Sequence, residues 1–147
     1  MATGQRRDPY RNFMFLVEID GVARAGFQEA KIPESTQDVV EYREGNEAPT
    51  PRKLSGLVKY DNVVLRRGVT DSLDLYNWRK AVEDGQIRTS RKNMSIVVLN
   101  DEGQPAARWE FSQAWPIRYD APELRATASD VAVETFEIAH EGMRRTQ

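Results

Sequence analysis

The side chains that most often perform chemistry are scarce in this 147-residue chain. It contains one histidine, His140, and no cysteine. The base of a Ser-His-Asp triad is a histidine, and thiol nucleophiles and cysteine zinc sites need cysteine. A lone histidine is more often structural than catalytic, which is the interpretation we favour for His140. These residue types predict neither a nucleophilic triad nor a metal site.

Acidic residues and glycines show no catalytic pattern either. The chain has 23 aspartates and glutamates, so a pair suited to glycoside hydrolysis would arise by chance. Neither GxxxxGK[ST] nor GxGxxG occurs to hold a phosphate group. Ser55-Gly56 lacks the flanking residues of a GxSxG nucleophile. We therefore expect no cofactor and no enzymatic activity.

The segment 107–119 alternates apolar and polar side chains as a long strand does. One face carries Trp109, Phe111, Trp115, Ile117 and Tyr119, and the other carries Arg108, Glu110, Ser112 and Arg118. Exposed aromatic side chains on a strand can stack the bases of single-stranded nucleic acid. The polar face is mixed in charge, and the net charge of the chain is −2. We favour a core role for the aromatic face and expect no specific nucleic-acid site.

Patterns along the rest of the chain predict a mainly β protein. Strands are predicted at 13–19, 22–32, 36–43, 54–60, 63–67, 93–99, 107–119 and 131–141. Asp20-Gly21 is typical of a tight hairpin turn, and Gly26 indicates a bend or bulge. About eight strands favour an antiparallel β-barrel or β-sandwich.

One flanking α-helix is predicted at about 71–84. Leu75, Trp78 and Val82 recur at helical spacing and form a single apolar stripe. Asp71 is placed to cap the start of this helix, and Gly85 is placed to end it in the left-handed conformation. We expect the helix to cover one side or one end of the sheet.

The first predicted strand is apolar on both faces at its start. Phe13, Phe15 and Val17 share one face, whereas Met14 and Leu16 share the other. Such a strand is covered on both faces, so the second cover must come from a helix, a loop or another subunit.

An extended loop is predicted at about 43–53, within the sequence EYREGNEAPTPRKLSG (residues 41–56). It is long for a connection between two strands. Its charges are sorted, with Glu44 and Glu47 before Pro49-Thr50-Pro51 and with Arg52 and Lys53 after it. The two prolines stiffen the loop and so lower the entropy lost when it docks.

No linker divides the chain, so we expect a single domain over 1–147 with a flexible segment at 1–9. The N-terminal sequence MATGQRRDPYRN is polar and contains no apolar core of a secretion signal. The apolar run at 13–17 is too short to cross a bilayer, which predicts no stable membrane anchor.

The order of these segments resembles the tail tube family. This family forms the inner tube of contractile phage tails and of phage-tail-like contractile injection systems, and it is related to the Hcp tube protein of type VI secretion. The resemblance spans roughly 8–143. It is carried by NFMFLVEIDGV, AGFQEAKIP, RKLSGLVKYDNVVLRRG, LYNW, FSQAWPIRYDAPEL and VAVETFEIAHEG.

The resemblance implies a structural subunit that forms hexameric rings, which stack into a hollow tube. A contracting sheath would drive the tube through a target envelope with a cargo effector or a genome in its lumen. The implied partners are the sheath protein, baseplate and tube-initiator proteins, and a tape-measure or cap protein. Assembly is expected in the bacterial cytoplasm, as part of a virion tail or an injection particle.

The resemblance also implies roles for two groups of residues. The loop residues Glu44, Glu47, Arg52 and Lys53 would contact the next ring. The strand residues Phe13, Met14, Phe15 and Leu16 would be covered by a neighbouring subunit.

Two alternatives stay open on sequence grounds. The tube could belong to a phage virion or to an injection particle, since both use the same protein family. A different class would be a small β-barrel module that binds a ligand or an oligonucleotide on the 107–119 strand.

Overall fold

The computed structural model describes residues 14–43, 45, 52–127 and 131–147. Ten strands and two helices lie in this part of the chain. They are β1 (Phe15–Ile19), β2 (Ala23–Gly26), β3 (Glu29–Lys31), β4 (Ser35–Tyr42), β5 (Arg52–Tyr60), β6 (Val63–Gly68), α1 (Asp74–Glu83), α2 (Ile87–Ser90), β7 (Lys92–Leu99), β8 (Pro105–Asp120), β9 (Val133–Ala139) and β10 (Gly142–Arg145). The prediction of a mainly β protein is confirmed.

Eight strands form one antiparallel sheet in the order β2-β1-β7-β8-β9-β6-β3, and β10 also pairs with β8. The sheet is not closed into a barrel. Its two end strands, β2 and β3, follow one another in the chain, joined by Phe27 and Gln28. Each pairs with a different neighbour, β1 or β6. Residues 27 and 28 therefore connect the two ends of the sheet, but β2 and β3 do not pair with each other.

The long strand β8 holds the sheet together because it pairs with β7, β9 and β10. It bends at Gln113, whose φ of 52° lies in the left-handed region. The register with β7 shifts at the same place, between the pairs Lys92–Ala114 and Met94–Phe111. The bend divides β8 into a half that pairs with β7 and β10 and a half that pairs with β9.

Because of this bend, the pattern of buried residues along the long strand differs from the predicted alternation. Phe111 is buried in the core, and Trp109 and Tyr119 pack against the core as predicted. Beyond Gln113, however, Ala114 and Pro116 are the buried residues. Trp115 and Ile117, which were assigned to the core face, are only half-buried. The shift arises because an irregular residue interrupts the period of two on which the prediction rested.

The helix α1 covers the core with the predicted stripe of Leu75, Trp78 and Val82, all of which are buried. The indole Nε1–H of Trp78 donates to the carbonyl of Ser90 at 2.6 Å, which ties α1 to α2. Gly85 follows the helix with a φ of +92°, as predicted for a left-handed stop.

The start of the helix differs from the prediction. The first helical residue is Asp74, three residues later than expected, and Leu73 occupies the N-cap position without a side-chain hydrogen bond. Asp71 therefore does not cap α1. The backbone N–H of Asp74 instead lies 3.5 Å from the hydroxyl of Ser72, which accepts its hydrogen bond.

The core lies between the large sheet and α1. Its members come from β1, β6, β7, β8 and β9, from the helix and from Phe27: they are Val17, Ile19, Phe27, Val63, Leu65, Leu75, Trp78, Met94, Ile96, Phe111, Ala114, Phe136 and Ile138. Residues far apart in the sequence thus share one continuous apolar interior, as a single domain requires.

Candidate assembly interface

Strands β4 and β5 form a two-stranded sheet of their own, separate from the large sheet. We call residues 35–60, which comprise these strands and the turn between them, the arm. Every β4 residue is exposed, and so are most of the β5 residues. The predicted loop at 43–53 therefore overlaps β5, because Arg52 and Lys53 already belong to this strand. The two strands were predicted as members of the barrel or sandwich, but they pair only with each other among the described strands.

The arm carries apolar side chains that the single chain leaves exposed. Their exposed fractions run from 44% to 73%, and they are Val39, Val40, Tyr42, Leu54, Leu57 and Val58. Residues of these types are more often buried. Several exposed apolar side chains on one element typically mark a contact with another macromolecule.

The strand register places apolar residues on both faces of the arm. Val40 lies opposite Leu54, and Tyr42 lies opposite Arg52, so these four side chains share one face. The other face carries Val39, which lies opposite Ser55, and Val58. A surface that meets the arm would therefore contact apolar side chains from either side.

A bulge in β5 bends the arm near its middle. Two residues, Gly56 and Leu57, lie where Asp38 alone stands in β4. A Cβ atom added at Gly56 would stand 2.9 Å from the carbonyl oxygen of Asp38. Only glycine fits this position, because any side chain would collide with the backbone of the facing strand.

The predicted charged residues of the loop are only partly placed. Lys53 lies directly opposite Glu41, and both are exposed. Arg52 is also exposed at the start of β5. Glu44 and Glu47 lie outside the described residues. The sequence pattern indicated these charged residues but not the apolar residues of the arm. A signal was present, because β4 and β5 lack the consistent apolar face that a core strand needs.

The two-faced first strand is half-buried in the single chain. Phe13 lies outside the described residues, and Met14, Phe15 and Leu16 retain intermediate exposure. Phe15 packs against the core. Leu16 pairs with Val97, which is buried on the same face. Part of the second apolar face is thus covered within the chain itself.

A polar concave surface lies along the first half of β8. It encloses a cavity of about 640 Å³ lined by Glu18, Ser95, Arg108, Glu110 and Arg144, among others. The guanidinium of Arg108 lies 3.2 Å from the carboxylate of Glu18, and that of Arg144 lies 3.6 Å from Glu110. The positive charges that line it are therefore offset by neighbouring carboxylates. Such a surface offers a polyanion little attraction.

The most enclosed charges belong to an ion pair in the large sheet. Arg67 on β6 donates to Glu134 on β9 at 2.9 Å, and both residues are about 6% exposed. The hydroxyl of Tyr119 donates to the second carboxylate oxygen of Glu134 at 3.2 Å. Burial, followed by the charge of Glu134, raises the pKa of Tyr119 above its usual value. The guanidinium also lies 5.5 Å from the ring centre of Phe27.

We interpret this network as structural. A hydrogen-bonded pair with an aromatic contact satisfies the charges that it buries. The described residues contain no group of three or more histidines, aspartates or glutamates placed to hold a metal ion. None of the described helices is long and apolar enough to cross a membrane.

Comparisons with known proteins agree with the geometry. The model of the T4-like virus tail tube protein gp19 family matches residues 11–144. A comparison with curated protein sequences finds no significant match.

Solved structures provide similar chains. One is a chain in the cryo-EM structure of the anti-feeding prophage (AFP) baseplate, 6-fold symmetrised: it is 27% identical, with a TM-score of 0.81 over 96% of this chain and 97% of that chain. Another, in the extended PVC sheath–tube complex of an extracellular contractile injection system, is 25% identical, with a TM-score of 0.83 over 94% and 91%.

A more distant likeness concerns the fold alone. Hcp1 from Flavobacterium johnsoniae is 16% identical to this chain, with a TM-score of 0.56 over 90% of this chain and 94% of that one. The family match spans nearly the whole chain, and the arm and the open antiparallel sheet lie within it. The chain therefore belongs to the T4-like virus tail tube protein gp19 family, and it is a structural tube subunit.

Proposed function

We propose that this chain forms hexameric rings that stack into the hollow inner tube of a contractile injection system or phage tail. The observation that carries this proposal is the family match over residues 11–144. The ring size is supported by the 6-fold symmetry of the AFP baseplate in which a similar chain was solved. In this role the chain is a building block without enzymatic activity.

The arm is the contact that joins one ring to the next. Its apolar residues are exposed in the single chain and would be buried against a second copy. Burying apolar surface supplies most of the free energy of association, at about 25 cal/mol per Å². The charged residues Glu44, Glu47, Arg52 and Lys53 at its tip contribute to register and polarity more than to affinity, because exposed ion pairs are individually weak.

Neighbouring subunits of a ring meet through strand edges and through β1. A ring needs two different complementary surfaces on each copy. The half-buried side chains of Met14, Phe15 and Leu16 lie on β1 or directly before it, close to the edge strand β2. Edge strands present unpaired backbone groups to a neighbour. We assign this region, with Phe13, to the contact within a ring.

The remaining partners follow from the assemblies in which similar chains were solved. Those assemblies are a baseplate and a sheath–tube complex. We propose contacts with a sheath protein, with baseplate and tube-initiator proteins and with a cap or tape-measure protein. The lumen would carry a cargo effector or a genome, and assembly would take place in the cytoplasm.

Electron microscopy of the purified chain across a concentration series, with light scattering on the same samples, tests the proposal. Rings or hollow tubes are the expected result, with baseplate proteins added as nuclei if the chain alone stays monomeric. A chain that remains monomeric with those nuclei would contradict the proposal. It would direct attention to the ligand-binding alternative, which the buried position of Phe111 does not favour.

A variant of the arm tip sharpens this test. Alanine at Glu44, Glu47, Arg52 and Lys53 together should leave the unfolding midpoint unchanged and impair stacking. The control replaces Glu123 and Arg125 by alanine, because they form an exposed pair at 2.8 Å outside the arm. Tubes of normal length from the arm variant would show that the tip does not set the contact between rings.

A further inference from the structure

The single histidine of the chain lies at the root of the arm. The centre of the His140 ring is 5.7 Å from that of Tyr60, the last residue of β5. On its other side the ring meets Phe111 edge-on at 5.0 Å. Phe111 is buried in the core, so His140 connects the end of the arm to the rigid interior.

A hydrogen bond fixes the orientation of this ring. The Nε2 atom of His140 lies 2.9 Å from the carbonyl oxygen of Asp61, the first residue after the arm. A carbonyl only accepts, so Nε2 carries the hydrogen and donates it. The other ring nitrogen, Nδ1, is buried and has no hydrogen-bond partner among the described residues. The Nε2–H group of His140 thus binds the backbone carbonyl of Asp61, directly after the arm.

The backbone on both sides of His140 is held as well. His140 follows β9, and Glu141 donates its backbone N–H to the carbonyl of Ser112 at 2.9 Å, just before β10 begins. Ser112 directly precedes Gln113, where β8 bends. His140 therefore lies between the end of β9 and a residue that is hydrogen-bonded to β8 next to its bend, so the backbone that carries the ring is fixed on both sides.

The other described hydrogen bonds at the root of the arm are made by residues just outside it. The side-chain amide of Asn62 donates to the carboxylate of Glu137 at 3.0 Å. The backbone N–H of Asp61 lies 3.4 Å from the carbonyl oxygen of Glu34, a long hydrogen bond. Ser35 and Tyr60 are the first register pair of the hairpin. These hydrogen bonds hold residues 34, 61 and 62, which lie outside the arm, whereas His140 contacts Tyr60 within it.

We propose that His140 is a positioning residue that fixes the direction of the arm relative to the body of the subunit. The inference rests on the proposed function, because the direction matters when the arm docks on another copy. An arm held in its docking direction loses less conformational entropy on binding than one that samples many directions. His140 would therefore favour stacking without touching the neighbouring ring.

Distances between two spin labels test the direction of the arm in the free chain. The chain has no cysteine, so Leu57→Cys on the arm and Asp101→Cys in the exposed turn after β7 give two unique labelling sites. The unsubstituted histidine should give one narrow distance distribution. His140→Ala should broaden it, while the circular dichroism spectrum stays that of a folded sheet.

Two further variants separate the contacts of the ring. His140→Phe keeps an aromatic ring between Tyr60 and Phe111 but removes the donor, whereas His140→Gln keeps a donor and removes the ring. Each should broaden the distribution less than His140→Ala does. If the alanine variant fails to fold, these two carry the test. Arg125→Ala is the matched control, because it breaks an exposed ion pair with Glu123 that lies outside the arm.

Assembly provides the second readout. The concentration at which tubes form on baseplate nuclei should rise about tenfold for His140→Ala and stay unchanged for Arg125→Ala. A narrow, unshifted distance distribution in all three His140 variants would overturn the proposal, and so would broad distances with unchanged assembly. If the unmodified chain forms no tubes, the proposed function fails, while the distances still decide whether His140 directs the arm.

Discussion

The sheet and the arm use the same kinds of residue in opposite ways. Leu65 and Phe136 in the sheet are fully buried, whereas Leu57 in the arm is 73% exposed. The sheet gathers its apolar side chains under α1 and is complete within one chain. An isolated two-stranded hairpin is at best marginally stable in water, so the arm needs a further surface to cover it. The difference indicates that the large sheet stabilises the subunit itself, and it supports the proposal that the arm contacts other copies.

A similar contrast separates two neighbouring arginines on β6. Arg66 pairs with Glu29 at 3.5 Å, and both side chains are about half exposed. Arg67 pairs with Glu134 at 2.9 Å where both are almost fully buried. Water screens the first pair and has little access to the second. Neighbouring positions on one strand thus allow buried and exposed charges to be compared directly.

The largest expected effect comes from breaking the buried pair. Glu134→Ala should lower the free energy of unfolding by about 3–5 kcal/mol, because it leaves the guanidinium of Arg67 buried without its partner. Urea unfolding measures the loss. The control Glu29→Ala removes the exposed pair and should cost less than about 1 kcal/mol. Similar losses in the two variants would show that water reaches both pairs alike.

The next largest effect on stability is expected from replacing a leucine of the sheet, compared with a leucine of the arm. Leu65→Ala should destabilise the chain by about 2–5 kcal/mol, since it opens a cavity in the core. Leu57→Ala should change stability by less than about 0.5 kcal/mol, because the side chain is already in contact with water. Thermal unfolding measures both. In a tube assembly assay the order should reverse, with Leu57→Ala impairing assembly more than its small effect on stability suggests. A Leu57→Ala variant that assembles normally would argue against docking through the arm.

The smallest effect concerns Tyr119 and its dependence on pH. Tyr119→Phe removes the hydrogen bond to Glu134 and should cost about 1–2 kcal/mol at pH 7. The pKa of Tyr119 is raised above 10.0 in the folded chain, so the unfolded chain loses this proton first as the pH rises. The stabilisation by Tyr119 is therefore complete below about pH 10 and declines above it.

Urea unfolding of the wild type and of Tyr119→Phe at pH 7 and at pH 11 measures this change. The difference between the two proteins should shrink at the higher pH, since the variant has no phenol to ionise at this position. The variant serves as the reference at each pH, so that effects common to both proteins are subtracted. A difference that grows with pH would contradict the raised pKa.

Local patterns in the sequence predicted much of the fold. The stripe of Leu75, Trp78 and Val82 identified the buried side of α1 because helical spacing alone places them together. Gly21 and Gly85 both have positive φ, as their turn and stop positions predicted. Each of the eight predicted strands overlaps an observed one, since alternation depends only on neighbours along the chain. The predicted strand 22–32 is divided into β2 and β3, however, and β10 was not predicted. The order of the segments led to the tail tube family, which the comparison confirms.

The tertiary structure determined which strands pair and which side chains pack together. Strands β4 and β5 have ordinary strand sequences, and only the pairing of the whole chain leaves them outside the large sheet. The bend at Gln113, the burial of Arg67 with Glu134 and the contact of His140 with Tyr60 join residues distant in sequence. No local period encodes such contacts, because they depend on packing in three dimensions. The sequence by itself determined most of the elements and the family, and the tertiary structure decided which of their faces are buried and which stay exposed.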